Sequence, residues 1–147
     1  MPDIRPSQRP VIYVAGPLKP IDKIGRTQKV NIKIANDVGR GLYELVGDKA
    51  DILIPHNFHT PLGDCIKSLS AEYFYSLDLG MLYAFIVSGR DLCIYLMRDW
   101  KMSMGAMIEA GFIDKVLANK LYPIGSSIKI ATSKIDVKEW LQELGVL

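Results

Sequence analysis

Glu109 is the residue whose neighbours best place it for chemistry. Residues 104–119 have helical spacing, and the positions three and four away from Glu109 are Gly105, Ala106, Phe112 and Ile113. All four are small or apolar, so the glutamate stands on the face that a helix buries, while Asp114 and Lys115 fall on the wet side. A carboxylate in such a setting must be paired or must hold its proton more tightly than usual. Gly105 and Ala106 are expected to leave open space on the N-terminal side, where a helical side chain leans. This suits a nucleophile or an acid facing a ligand. It suits equally a glutamate paired with a core arginine or a backbone amide, and the helix alone leaves both readings open.

Asp78 repeats the pattern one helix earlier, flanked at the same spacings by Phe74, Tyr75, Met81 and Leu82. Two acids on consecutive buried faces are a common arrangement for splitting a glycosidic bond, although a tyrosine hydroxyl could equally hold Asp78 in a structural role. Tyr13 lies near the end of the first apolar run and, by itself, fits a core as readily as a site. Gly16 follows that run and permits close backbone approach to a ligand, with Pro17 and Leu18 next to it. Ser103 stands at the mouth of the Glu109 helix, where free N–H groups and the helix dipole favour an anion; simple N-capping would explain it too. Lys19 and Arg26 could add positive charge there. His56, Asn57 and His59 read as exposed loop residues that could line a site. Two histidines without a fixed acidic partner make no metal motif, and no cofactor is expected.

The elements that must position these residues follow from periodicity and turn signals. Residues 10–15 read as a buried strand stopped by Gly16-Pro17, and residues 26–46 as a helix with an apolar stripe at Val30, Ile34, Val38, Leu42 and Leu45. Residues 51–55 form the second strand and 56–67 an exposed loop. A helix capped by Ser68 or Ser70 then runs to about Val87. Residues 92–97 are an almost continuous apolar strand, as expected where both faces are covered. The helix opened by Ser103 follows, then one or two short strands within residues 120–131. A last helix begins at Asp136, whose spacing to Glu139 suits a capping box. The order β-α-β-α-β-α-β-α predicts a parallel sheet with helices on both faces and ligands beyond the carboxyl ends of the strands.

Taken together, Ile12-Tyr-Val-Ala-Gly-Pro-Leu18, Asp78-Leu79 and Ser103-Met-Gly-Ala-Met-Ile-Glu-Ala-Gly111 resemble the nucleoside 2-deoxyribosyltransferase-like family. That family includes deoxynucleoside 5'-monophosphate N-glycosidases. The resemblance spans roughly residues 11–121, and its last element is the more specific. It implies a three-layer flavodoxin-like or Rossmann-like fold with about five parallel strands. It also implies that Glu109 is the nucleophile forming a covalent glycosyl intermediate, that Tyr13 holds it, and that Asp78 assists the departing base. The family's substrate contacts carry over to Gly16, Pro17, Leu18, Asn57, Ser103 and Gly105. Deoxyribosyltransferases proper carry an acid where this chain has Ser103, which looks more like the phosphate-recognising position of the monophosphate N-glycosidases. Family enzymes complete their sites from a neighbouring subunit, so the resemblance implies a homodimer or larger homo-oligomer.

Composition sets the outer bounds. The chain has 147 residues, 49% of them hydrophobic and 23% charged, as expected for residues 10–147 folding as one domain behind a flexible leader at 1–9. A net charge of +2 gives no field for duplex nucleic acid, and the apolar runs are too short for a membrane span. With no secretory signal in view, Cys65 and Cys93 are expected to be reduced thiols of a cytoplasmic protein, Cys93 packing as a small hydrophobe. The expected activity is therefore N-glycosidic hydrolysis or transfer on a (deoxy)ribonucleoside or its 5'-monophosphate. The competing expectations are a nucleotide-sensing module without catalysis and a hydrolase of a related N-glycoside such as NAD.

Overall fold

A computed structural model describes residues 8–59 and 71–147. The first strand, β1 (Val11–Ala15), is buried along its whole length because both of its faces are covered. Helix α1 (Gln28–Val46) follows, with Thr27 Oγ1 accepting from the Val30 amide at 3.2 Å and Gly47 closing it in a positive-φ conformation. Strand β2 (Asp51–Leu53) leads at once into a short helix, α2 (His56–His59). Part of the expected exposed loop is thus helical: the amides of Asn57 and Phe58 turn back onto the carbonyls of Ile54 and Pro55, and His56 is buried. Ser68, Ser70 and Cys65 lie outside the described residues.

Helix α3 (Ala71–Val87), strand β3 (Leu92–Leu96), helix α4 (Met104–Ala118), strand β4 (Ile128–Ala131) and helix α5 (Lys134–Glu143) complete the order. Residues 120–131 contain one strand. The last helix begins two residues earlier than its sequence suggested. Ser133 Oγ caps it by accepting from the Asp136 amide at 3.2 Å, and Asp136 reaches back to the Thr132 amide at 3.0 Å. Glu139 is exposed and takes no part in that cap.

Among the described residues the sheet has four parallel strands in the order β2-β1-β3-β4, not the five or so that the resemblance implies. Its alternating strand residues divide the core into two layers. Val11, Tyr13, Ala15, Ile94 and Leu96 pack with Leu82 and Ile86 of α3 and with Ala106, Ala110 and Ile113 of α4. Ile12, Val14, Cys93 and Met97 pack on the other side, with α1 and α5. The Cys93 thiol is pushed up to about 12 by burial, in keeping with a small apolar filler. No described helix is long and apolar enough to cross a membrane.

Leu42 is buried as the α1 stripe predicts, but its other members sit one residue away from the buried line. Asn31, Ala35, Gly39, Leu42 and Val46 are buried, whereas Val30 is exposed and Ile34, Val38 and Leu45 lie at the flanks. Small side chains let this helix approach the sheet, so the bulkier residues straddle the contact line. From β1 the chain moves outward to β2 and then crosses back to β3, which makes the carboxyl ends of β1 and β3 a topological switch point.

Candidate functional site

Tyr13 projects from β1 toward α3 and α4 and is fully buried. Glu109, on α4, is 7% exposed, between helix neighbours Ala106 and Ile113 that pack on the same layer. Asp78, on α3, is half-buried. Asp78 and Glu109 both line a small cavity at the carboxyl end of β1, together with Ala15, Gly16, Leu18 and His56. Its free volume is about 30 Å³, close to that of one water molecule.

Burial pushes the Glu109 carboxyl from its ordinary 4.5 up to about 8. The Tyr13 hydroxyl opposes that rise and the negative charge of Asp78 adds to it. The Tyr13 phenol is itself held above its ordinary value, first by burial and then by the charges of Glu109 and Asp78, so it stays a neutral donor. Tyr13 Oη and Glu109 Oε2 are both buried, and neither closes a hydrogen bond of ordinary geometry. The phenol nonetheless stands near enough to favour the ionised carboxylate. A buried carboxylate oxygen and a buried phenol left in this condition are the kind of groups that a ligand satisfies.

The turn after β1 is held from two sides. The Pro17 carbonyl lies 2.9 Å from His56 Nε2, and since a carbonyl only accepts, that nitrogen carries the proton. Asn31, fully buried, donates through Nδ2 to the carbonyls of Leu18 at 3.2 Å and Lys19 at 2.7 Å. Its Oδ1 accepts from Arg26 Nε at 2.9 Å, and Arg26 in turn pairs with Asp99 in the turn after β3. Gly16 lies against Met97, whose sulfur would collide with any Cβ placed there. Asn31 and Asp99 were not among the residues expected from sequence. The signal for Asn31 was its place four residues before Ala35 on the buried stripe, hidden by the shift in phase.

The structure thus gathers Tyr13, Asp78, Glu109, Gly16 and Leu18, with Pro17 just behind them on His56. Three other expected residues lie elsewhere. Asn57 is exposed and exchanges amide hydrogen bonds with Asn36 at 3.0 Å, outside the cavity lining. Gly105 does not open space beside Glu109: a Cβ there would come within 3.1 Å of Tyr75 Cε1, so the glycine admits a ring from α3. Ser103 caps α4, its Oγ accepting from the Ala106 amide at 3.1 Å, and does not line the cavity. Lys19 is exposed, and Arg26 is engaged by Asn31 and Asp99.

No group of three or more metal-ligating side chains occurs among the described residues. A larger groove, about 540 Å³, opens on the α1 side of the same sheet edge. Among the described residues its one carboxylate, Asp99, is matched by Arg26, so the perturbed Glu109 singles out the smaller cavity as the candidate site. Comparisons of the chain with protein-family models, with curated proteins and with solved structures find no match.

Proposed function

We propose that this chain cleaves the N-glycosidic bond of a (deoxy)ribonucleoside or its 5'-monophosphate, by hydrolysis or by passing the sugar to a second base, with Glu109 as nucleophile. The observation that carries this reading is the shared cavity of Glu109 and Asp78 at the carboxyl end of β1, with Tyr13 beneath Glu109. The residue pattern resembling the nucleoside 2-deoxyribosyltransferase-like family supports the same assignment.

In the first step a Glu109 carboxylate oxygen bonds to the anomeric carbon as the bond from that carbon to the base nitrogen breaks. The bonding pair leaves with the base, which takes a proton that Asp78 relays from solvent. In the second step water attacks the same carbon, the ester bond to Glu109 breaks with its electrons returning to the carboxylate, and Asp78 passes the water's proton back to solvent. Two displacements retain the configuration of the sugar. The neutral Tyr13 phenol favours the carboxylate that attacks and leaves. A carboxyl poised near 8 is close to the operating range in which a buried acid can change its protonation state.

A second copy of the chain is the partner that fits this reading. Helix α3 carries apolar residues around its whole circumference, so after one side packs on the sheet Leu77, Tyr83 and Val87 stay exposed, close in sequence to Asp78.

The test is to incubate the protein with deoxynucleosides, ribonucleosides, their 5'-monophosphates and NAD, and to measure free base. Release by the wild type and none by Glu109→Ala supports the enzyme. Thermal stabilisation by a nucleotide without turnover would favour the sensing module. Adding a second free base separates transfer from hydrolysis.

A further inference from the structure

We infer that the groove on the α1 side of the sheet's carboxyl edge is a second binding site, for a small amphipathic anion: a flat apolar body carrying one phosphate, carboxylate or sulfonate. Three observations converge on this ligand class. The groove, about 540 Å³, is within the roughly 300–1,000 Å³ range of small-molecule sites. Its lining is largely apolar, with Ile34 and Val38 from α1 and Met97 from the end of β3. Ile24 and Met102 stand at 49% and 57% exposure around it, large apolar side chains left in water.

The charge of the lining completes the argument. Asp99 is paired with Arg26, so the groove's only carboxylate among the described residues is already neutralised. Arg98 and Lys101 are exposed, and neither forms an ion pair among the described residues, which leaves two positive charges beside the apolar lining. Arg26 Nη2 adds a buried donor with no partner, one more group that favours a nearby acceptor. A neutral ligand would draw nothing from these cations, one of which, Lys101, also lies 5.7 Å over the Trp100 ring, and an anion without an apolar body would leave the hydrophobic lining wet.

The groove is distinct from the cavity of Glu109. Met97 separates them, lining the groove with its side chain and packing against Gly16, which lines the cavity. The inference therefore does not rest on the glycosidase reading, and failure of the base-release assay leaves it standing.

The probe is 1-anilinonaphthalene-8-sulfonate, compared with N-phenyl-1-naphthylamine, the same ring system without the sulfonate, each titrated against the full chain by fluorescence. Saturable one-to-one binding of the sulfonate is expected. Reversal of both exposed charges, Arg98→Glu with Lys101→Glu, is expected to weaken it about tenfold or more. Val38→Trp, which fills the groove from α1, is expected to weaken it similarly while circular dichroism stays unchanged. Equal affinity for the uncharged analogue, or undiminished sulfonate binding by the charge-reversed protein, would overturn the inference.

Discussion

The Tyr13 hydroxyl and the Glu109 carboxyl meet beneath the carboxyl edge of the sheet, one from strand β1 and the other from helix α4, both buried and neither closed in an ordinary hydrogen bond. Each perturbs the other: the carboxylate holds the phenol's proton on, and the phenol restrains the rise of the carboxyl. Asp78 raises both, so on Glu109 it works against the phenol. This three-way balance yields expectations of defined sign.

The first concerns rate against pH. Glu109 attacks only when ionised, so base release should rise with pH along a limb centred near 8. Tyr13→Phe removes the group that lowers the carboxyl's value, so its rising limb should move to higher pH, with a rate at neutral pH about tenfold or more below wild type. Asp78→Asn removes a negative charge that raises it, so that limb should move to lower pH even as the plateau falls. Profiles of kcat/KM for the three proteins check this; shifts of the same sign in both variants would contradict it.

Stability should carry the same signature. A carboxyl raised from 4.5 to about 8 keeps its proton in the folded chain over a range in which the unfolded chain has lost it. Its contribution is therefore fully present below about 4.5 and is lost as pH climbs through about 8. Glu109→Gln has no proton to lose. It should be more stable than wild type at alkaline pH, by on the order of a few kcal/mol. Melting temperatures of both proteins across this range decide it, and parallel curves would count against a buried, proton-holding Glu109.

A third expectation tests the wall of the cavity. A methyl at Gly16 has no room beside Met97, so Gly16→Ala should cost about 1–3 kcal/mol. Met97→Ala should cost more, about 2–5 kcal/mol, by leaving a void. If the two residues are in contact, the double variant should lose clearly less than the sum, as read from urea unfolding. Strict additivity would mean that they do not touch.

How much of this was legible in the sequence differs from residue to residue. The buried face of α4 could be read because Glu109 has small or apolar neighbours at every helical spacing, a local signal that survives without knowledge of the fold. The first three strands and their alternation with helices could be read from apolar runs bounded by turn signals, whereas residues 120–131 left one or two strands open. Strand order could not, since apolar runs do not say which strand lies beside which. The bond of Asn57 to Asn36 could not be read, because its partner comes from another helix. Gly105 suggests empty space in sequence, but Tyr75 of α3 packs against it. Each failure is one of contact between distant segments, and so is the Arg26–Asn31–Asp99 link that ties the turn after β1 to the turn after β3.

The most direct test of the central claim is to look for the glycosyl ester itself. Wild-type protein mixed with a nucleoside or nucleotide that it turns over is quenched in acid within the first turnovers and weighed intact, then digested. The account expects an added mass equal to the sugar or sugar phosphate, carried on the peptide containing Glu109 and missing from Glu109→Gln. Base release with no such adduct, continuing undiminished in Glu109→Gln, would contradict it.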